Sequence, residues 1–163
     1  MSVVITTGRV IIRSPEVEDF ETIWKMKNDP SVVEYTGGVS KFSKTEAYEQ
    51  HKQRCAEFEN SEVKVFSVAL KESNQCIGYC GLKHCETLSG TEILYGFSKE
   101  YWGKGYAKAV LEYGLKNISS KIVAAVHPNN KGSERVLLSI GMKYIGKIEW
   151  PNQGLVNKYK ISV

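Results

Sequence analysis

The sequence of 163 residues predicts a mixed α/β (α+β) fold, in which a twisted and mostly antiparallel sheet of six to seven strands is flanked by about four helices. Apolar runs at residues 63–70, 76–84 and 91–97 are separated by turn-forming residues, which favours antiparallel connections between them. The run at 91–97 is followed by an amphipathic helical stretch and by a further apolar run, and such a strand–helix–strand unit is parallel. We therefore expect one parallel βαβ unit within the sheet.

The N-terminal part contains one predicted strand, at residues 9–13, and two predicted helices. The first helix begins after Ser14, with a proline in its first turn and acidic residues nearby, and it ends before Pro30. The second helix follows a serine N-cap and covers residues 44–58. Between the two helices, residues 31–42 contain two adjacent glycines and predict a flexible loop.

The C-terminal part continues with the amphipathic helix at residues 103–118 and the strand that follows it, at residues 121–126. A short helix begins after Asn130 and ends at a glycine. Residues 142–148 and 155–163 form a closing hairpin. Because no linker, repeat or low-complexity segment interrupts this order, we expect residues 1–163 to form a single domain.

Composition excludes several classes of protein. The chain is 42% hydrophobic and 25% charged, with a net charge of +4, which is ordinary for a globular protein. It has no basic stripe and no apolar run of about 20 residues, and its first residues lack the charge and the apolar length typical of a signal peptide, so we expect neither a nucleic-acid partner nor a membrane. Four cysteines without C-x-x-C spacing argue against a zinc site or a disulfide framework and favour reduced thiols in the cytoplasm. The closing hairpin leaves an edge strand that allows a homodimer.

The most informative motif is the sequence Trp-Gly-Lys-Gly-Tyr-Ala at residues 102–107. Two glycines allow a sharp turn and a close approach of the backbone to a ligand, and amides at a helix N-terminus favour an anion. The motif is not a P-loop, because Lys104 is followed by glycine and not by serine or threonine. It is not a Rossmann fingerprint either, because Lys108 occupies a position that requires glycine or alanine. It predicts a pyrophosphate cradle of another kind.

The order of the elements and motifs resembles the GNAT N-acetyltransferase superfamily, and within it the RimJ/RimL type named for ribosomal-protein N-terminal acetyltransferases. The resemblance covers essentially the whole chain, and the ordered set is more specific than any single motif. The motifs are Thr7-Gly8-Arg9-Val10-Ile11-Ile12-Arg13, Asn28-Asp29-Pro30-Ser31-Val32, Gly78-Tyr79-Cys80-Gly81-Leu82, Tyr101-Trp102-Gly103-Lys104-Gly105-Tyr106-Ala107, Pro128-Asn129-Asn130-Lys131-Gly132-Ser133 and Ser139-Ile140-Gly141-Met142.

The resemblance implies the GNAT fold and an enzyme that transfers the acetyl group of acetyl-CoA to a primary amine by direct attack in a ternary complex, without a metal. Residues 102–107 then correspond to the family's Q/R-x-x-G-x-G/A motif, in which Trp102 stands where glutamine or arginine is usual. The backbone of residues 95–97 is expected to pair with the pantetheine arm. The implied CoA-binding residues are Tyr95, Gly96, Phe97, Trp102, Gly103, Lys104, Gly105, Tyr106, Ala107, Asn130 and Ser133.

Three residues are candidates for proton transfer. The attacking amine must be neutral, so a general base, or an ordered water chain that leads to one, is expected to remove its proton. By resemblance the base is Glu92, on the strand before the cradle, or Glu149, which would work through a water with Ser133. Either glutamate also has a simpler explanation as a carboxylate at a strand end. The tyrosine that other branches use as general acid is replaced by Leu137, so that role is absent or filled differently.

The acceptor amine is expected to enter between residues 31–42, the second helix and the closing hairpin. Acidic and phenolic side chains there, above all Glu34 and Tyr35, would suit a cationic acceptor such as a peptide N-terminus, a polyamine or an aminoglycoside. Two alternatives remain open at this point. The chain could be a non-catalytic acyl-CoA-binding sensor or scaffold, or it could transfer a bulkier acyl group.

Overall fold

The computed structural model describes residues 2–116 and 121–162. Its strands are β1 (Val3–Thr6), β2 (Val10–Arg13), β3 (Lys64–Leu70), β4 (Cys76–Cys85), β5 (Gly90–Phe97), β6 (Lys121–Val126), β7 (Lys143–Trp150) and β8 (Gly154–Ser162). Its α-helices are α1 (Phe20–Asn28), α2 (Pro30–Val33), α3 (Lys44–Glu57), α4 (Tyr106–Lys116) and α5 (Lys131–Ser139). The end of the amphipathic helix predicted at residues 103–118 and the last residue of the predicted hairpin lie outside the described residues. No helix in the described ranges is long and apolar enough to cross a membrane.

The strands form one sheet in the order β1-β2-β3-β4-β5-β6-β8-β7. All neighbouring pairs are antiparallel except β5 and β6, so the predicted parallel βαβ unit within a mostly antiparallel sheet is confirmed. The sheet is one strand larger than predicted, because β1 extends it beyond β2. The hairpin places β8 beside β6 and leaves β7 at the edge of the sheet.

Part of the predicted loop at residues 31–42 is helical. The single turn α2 begins after Asp29, whose carboxylate accepts a hydrogen bond from the backbone N–H of Ser31 at 2.9 Å. Pro30 occupies the first helical position, where its missing N–H costs nothing. The stretch that we expected to end the first helix therefore also begins the next one.

Strands β5 and β6 separate soon after they meet. Their parallel register consists of Thr91↔Ile122 and Glu92↔Val123, and within the described residues it goes no further. Strand β5 nevertheless stays paired with β4 as far as Phe97, and β6 stays paired with β8 as far as Val126. The two strands therefore enclose an opening, and from residue 93 onward β5 has no partner on that side among the described strands.

Two hydrophobic clusters lie beneath α4, and each contains a buried residue of β5. One contains Leu115 of α4 together with Leu137 of α5 and buried residues of β6 and β8. The other contains Val110 of α4 and buried residues of β2, β3 and β4. Tyr95 of β5 packs against both clusters. Its ring therefore bridges the two parts of the core where the strands separate.

A buried ion pair connects the start of α1 to the sheet. The two terminal nitrogens of Arg13 donate to the two carboxylate oxygens of Asp19, each at 2.8 Å. Ser67 donates its hydroxyl to Asp19 at 2.6 Å, and Arg13 Nε donates to the side-chain oxygen of Asn74 at 2.7 Å. Arg13 is 1% exposed and Asp19 is 3% exposed. The network joins β2, β3 and the turn after β3 to the segment that leads into α1, and so it positions that helix.

Candidate active site

The glycine-rich motif forms the expected turn into a helix. Gly103 and Gly105 have φ values of +69° and +80°, in the left-handed region that favours glycine. Helix α4 begins at Tyr106, and the carbonyl of Gly105 accepts its first hydrogen bond, from the N–H of Ala109 at 3.1 Å. The amides of the first turn have no partner within a helix. Because they lie beside an exposed loop, they are available to an anion.

An arginine from the far end of the chain braces this turn. Arg9 Nη1 donates to the carbonyl of Lys104 at 2.9 Å, and its guanidinium lies 4.4 Å from the centre of the Tyr106 ring. The amine of Lys104 lies 5.7 Å from the centre of the Tyr101 ring. Sequence reasoning missed Arg9 because no spacing pattern links two positions that lie 95 residues apart. Two cations therefore flank the turn.

Trp102 connects the same turn to β5. Its indole N–H donates to the carbonyl of Phe97 at 2.8 Å, while the side chain stays 46% exposed. The indole thus fixes the distance between the end of β5 and the start of α4. The residue that departs from the usual family motif has a structural role here.

Tyr95 and Ser133 meet at the opening. Their hydroxyls form a short hydrogen bond in which either atom could be the donor. Asn130 caps α5 by accepting the N–H of Ser133 at 3.2 Å, which confirms its predicted role as an N-cap. Burial raises the pKa of the Tyr95 phenol, and the hydrogen bond with Ser133 acts in the opposite direction. The phenol therefore stays protonated near neutral pH and can donate a proton.

The hydroxyl of Tyr95 could not be assigned from the sequence. Alternation along β5 places the tyrosine on the face opposite Glu92, and this explains its ring as a core residue. The contact with Ser133 depends on the position of α5, 38 residues later. The sequence did contain one useful signal, which is the leucine at position 137. It replaces the tyrosine that would act as general acid, and so it left that role open for another hydroxyl.

Glu92 is buried at the point where β5 and β6 separate. It lies directly opposite Lys83 on β4, whose amine is 3.4 Å from Glu92 Oε2. That carboxylate oxygen accepts no hydrogen bond from the described residues. By alternation, Glu92 shares a face of β5 with Gly96, about 13 Å further along the strand. Only a chain of waters could carry a proton over that distance.

Glu149 lies in a different environment. It is exposed near the end of β7, where it pairs with Leu155 of β8. Ser133 forms its hydrogen bonds in the described structure with Tyr95 and Asn130. The role of Glu149 as a base therefore stays a prediction, and the structure supplies no contact in its favour.

A cavity of about 480 Å³ opens on the face of the sheet that carries Glu92 and Gly96. It is enclosed by α1, α3, residues 36–42 and Tyr79 of β4. Glu34 is exposed and is not part of its wall. Tyr35 lies elsewhere, because its ring stacks on His127 with centres 4.9 Å apart, beside the turn that leads to Asn130. The two expected acceptor contacts therefore lie outside this cavity.

Known proteins resemble the chain over most of its length. The family described as Acetyltransferase (GNAT) domain matches residues 9–143. The chain is 31% identical to the uncharacterized N-acetyltransferase YnaD of Bacillus subtilis over 148 residues, which cover 87% of this chain and 84% of that protein.

Two solved structures share the fold. The GNAT-family acetyltransferase of Bacillus anthracis is 26% identical, with a TM-score of 0.77 over 99% of this chain and 98% of that one. RimL, a ribosomal L7/L12 α-N-protein acetyltransferase in complex with coenzyme A, has a TM-score of 0.81 over 99% of this chain and 98% of its own, at 12% identity. At that identity RimL supports the fold alone. The family match and the relative at 31% identity show that the chain belongs to the GNAT acetyltransferase family.

Proposed function

We propose that the chain transfers the acetyl group of acetyl-CoA to a primary amine by direct attack in a ternary complex. The observation that carries the proposal is the opening between β5 and β6, which lies next to the glycine-rich turn and the N-terminus of α4. An unpaired strand edge and an anion-binding turn are the two features that a long, amide-containing and phosphorylated co-substrate requires.

The residues present fit CoA. Beyond Glu92, the backbone groups of β5 that face the opening lack a strand partner, so they are free to pair with the amides of a pantetheine arm. The turn at residues 103–107 supplies amides for the pyrophosphate, and Lys104 supplies a nearby cation. A backbone N–H near Phe97 would polarise the thioester carbonyl. Asn130 and Ser133 would lie along the same arm.

Acetyl-CoA supplies a thioester whose carbonyl carbon bonds to the amine nitrogen while the carbon–sulfur bond breaks and the sulfur takes a proton. The amine must lose a proton. Glu92 is favoured as its acceptor because its carboxylate is buried, and its Oε2, which lies 3.4 Å from the Lys83 amine, accepts no hydrogen bond from the described residues. Tyr95 and Ser133 lie on the opposite face of β5 and would protonate the departing sulfur. The base and the acid are thus separated by the strand that holds the thioester.

Glu92→Gln is expected to lower kcat at pH 7 by about 100-fold, the loss typical of a missing general base. The deficit should shrink as the pH rises, because more of the amine is then neutral without help. Glu149→Gln is expected to leave kcat within about twofold of the wild type, since its side chain is exposed. Full kcat in both variants would show that neither is the base, and loss in Glu149→Gln alone would assign the role to Glu149.

Gly105→Ala is expected to raise the KM for acetyl-CoA about tenfold. A φ of +80° costs an L side chain roughly 1–2 kcal/mol, and the added methyl would lie 3.4 Å from Arg9 Nη2. Gly114→Ala, within α4, is the control, because its methyl would meet no atom of the described residues within 4 Å. That variant should keep the wild-type KM and gain roughly 0.5–1 kcal/mol in the free energy of unfolding. An unchanged KM in Gly105→Ala would remove this turn from the CoA site.

The proposed activity is tested by measuring release of CoA thiol from acetyl-CoA in the presence of peptides, polyamines, aminoglycosides and amino acids. Stimulation by at least one amine, with acetylation of that amine seen by mass spectrometry, is the expected result. CoA binding without stimulated thiol release by any amine would instead indicate a sensor or scaffold. Competition between CoA thioesters of different length would show whether a bulkier acyl group is preferred.

A homodimer and a cytoplasmic location remain predictions. Strand β7 lies at the edge of the sheet and exposes 51% of Tyr144 and 41% of Ile145. An edge with apolar side chains is a surface on which a second copy could pair, and sedimentation measurements would detect it. The four cysteines are free in the structure, which accords with a reducing compartment.

A further inference from the structure

The cavity beside α1 and α3 has an unusual charge. Among the described residues that line it are three cations, Lys27, Lys41 and Arg54, and no aspartate or glutamate. A site for a polyamine or an aminoglycoside would need carboxylates in its wall. The cavity instead has the charge expected of a site that receives an anion.

These cations are exposed and have no carboxylate partner among the described residues. Elsewhere on the same helices lysines do have partners, since Lys44 lies 2.9 Å from Glu21 and Lys52 lies 3.0 Å from Glu49. In the described ranges, by contrast, no ion pair involves a cation of the cavity wall. Desolvation first, and the charge of Arg54 second, lower the pKa of the Lys27 amine. Two cations that repel each other across a cavity would be stabilised by an anion bound between them.

The rest of the wall is largely apolar and aromatic. Phe20 is buried and stacks on Trp24, with ring centres 6.0 Å apart. Ile23, Val33 and Phe42 add apolar surface around the same cavity. A ligand with only an anionic group would leave these side chains uncovered. The wall therefore favours a ligand that has an apolar or aromatic body as well.

The cavity also adjoins the proposed acetyl-transfer site. Tyr79 lines it and lies opposite Gly96 of β5 in the sheet. The contact between them is so close that a Cβ on Gly96 would lie 2.8–2.9 Å from three atoms of the Tyr79 side chain. A single ring thus separates the cavity from the strand that would hold the thioester. An acceptor seated in the cavity could present its amine there while its anionic group faces Lys27 and Arg54.

We propose that the acceptor is a small amine that also carries an anionic group and an apolar or aromatic body. This inference rests on the proposed acetyl transfer and specifies its substrate class. It differs from the cationic acceptor that Glu34 and Tyr35 suggested. The anionic group could be a carboxylate or a phosphorus oxyanion, because both accept hydrogen bonds from lysine and arginine.

The test compares amines that differ only in the anionic group. The first set is phenylalanine, its phosphonate analogue 1-amino-2-phenylethylphosphonic acid, and phenethylamine, which has no anionic group. Two further pairs are tryptophan with tryptamine and leucine with isoamylamine. We expect kcat/KM to be at least about tenfold higher for the anionic member of a pair, the value of one charged hydrogen bond. The carboxylate and phosphonate arms distinguish the two kinds of anion. Spermidine and an unrelated peptide complete the panel.

Lys27→Gln and Arg54→Gln are each expected to reduce the advantage of the anionic amine about tenfold, while kcat/KM for the neutral amine and the Kd for CoA stay unchanged. Lys52→Gln is the matched control, because this lysine lies on the same helix as Arg54 and pairs with Glu49. If kcat/KM for the neutral amines or for spermidine equals or exceeds kcat/KM for the anionic amines, the inference is wrong and acetyl transfer still stands. The inference is also wrong if Lys27→Gln and Arg54→Gln lower kcat/KM equally for all acceptors. Failure of every amine, peptides included, would instead refute the proposed function.

Discussion

Replacement of Tyr95 by phenylalanine is expected to lower kcat by about 100-fold, which is the usual contribution of a general acid. The change removes the hydroxyl that bonds to Ser133 and keeps the ring that packs against both core clusters. The Kd for CoA should therefore stay near the wild-type value. Steady-state kinetics with a saturating amine and equilibrium binding of CoA measure the two effects separately.

Ser133→Ala should cause a similar loss of kcat, and the double variant should be little worse than either single variant, because the two hydroxyls act as one unit. Tyr144→Phe is the control, since that tyrosine is exposed on the edge strand. Burial raises the pKa of Tyr95, so kcat should not decline on the alkaline side below the ordinary tyrosine pKa of about 10. A wild-type kcat in Tyr95→Phe would contradict a shared role. A double variant whose loss of kcat equals the product of the two single losses would contradict it as well.

The largest expected effect on stability comes from Asp19→Ala. The change leaves the buried guanidinium of Arg13 without its carboxylate, and breaking such a pair costs about 3–5 kcal/mol of the free energy of unfolding. Glu49→Ala is the control, because it breaks an exposed pair with Lys52 that is worth about 0–1 kcal/mol. Urea unfolding at neutral pH measures both. A loss in Asp19→Ala no larger than in the control would show that the network contributes little.

The difference in stability between the wild type and Asp19→Ala is expected to depend on pH. Burial on its own would raise the pKa of Asp19, but hydrogen bonds from Arg13 and Ser67 outweigh it and lower the pKa below its ordinary value. A carboxyl group with a lowered pKa in the folded state stabilises the protein above its unfolded pKa of about 3.9, and this contribution disappears as the pH falls through the folded value. The stability difference between the wild type and Asp19→Ala should be constant above about pH 5 and should shrink below about pH 4. A difference that stays constant at pH 2 would contradict this assignment.

Elements with a local signal could be predicted well from the sequence. Ser43 with Glu46 forms the capping box that begins α3, and α3 covers Lys44–Glu57 against a prediction of 44–58. Strand β6 matches its predicted range, because the apolar run at residues 122–126 lies between Lys121 and His127 and so has clear ends. The short strand β1 was missed, since four residues carry too little pattern to distinguish a strand from an apolar terminus.

Contacts between distant residues could not be predicted, because no local pattern in the chain reveals which distant positions the folded structure brings together. Arg9 reaches Lys104, and Tyr95 reaches Ser133, only after the sheet and two helices have assembled. The charge of the cavity was hidden for the same reason. Lys27, Lys41 and Arg54 belong to α1, the segment after α2, and α3, and each resembles an ordinary surface cation in the sequence. Expectations about the acceptor therefore relied on acidic residues that lie outside the cavity.

The separation of β5 from β6 has a consequence for the lifetime of the protein. With two paired positions between β5 and β6 in the described residues, the sheet has a seam at this junction. A co-substrate that pairs along β5 would fill that seam and act as a removable ninth strand. Binding at 100 times its Kd would add about 2.7 kcal/mol to the folded state. The abundance of acyl-CoA would then govern how long the enzyme survives proteolysis as well as how fast it works.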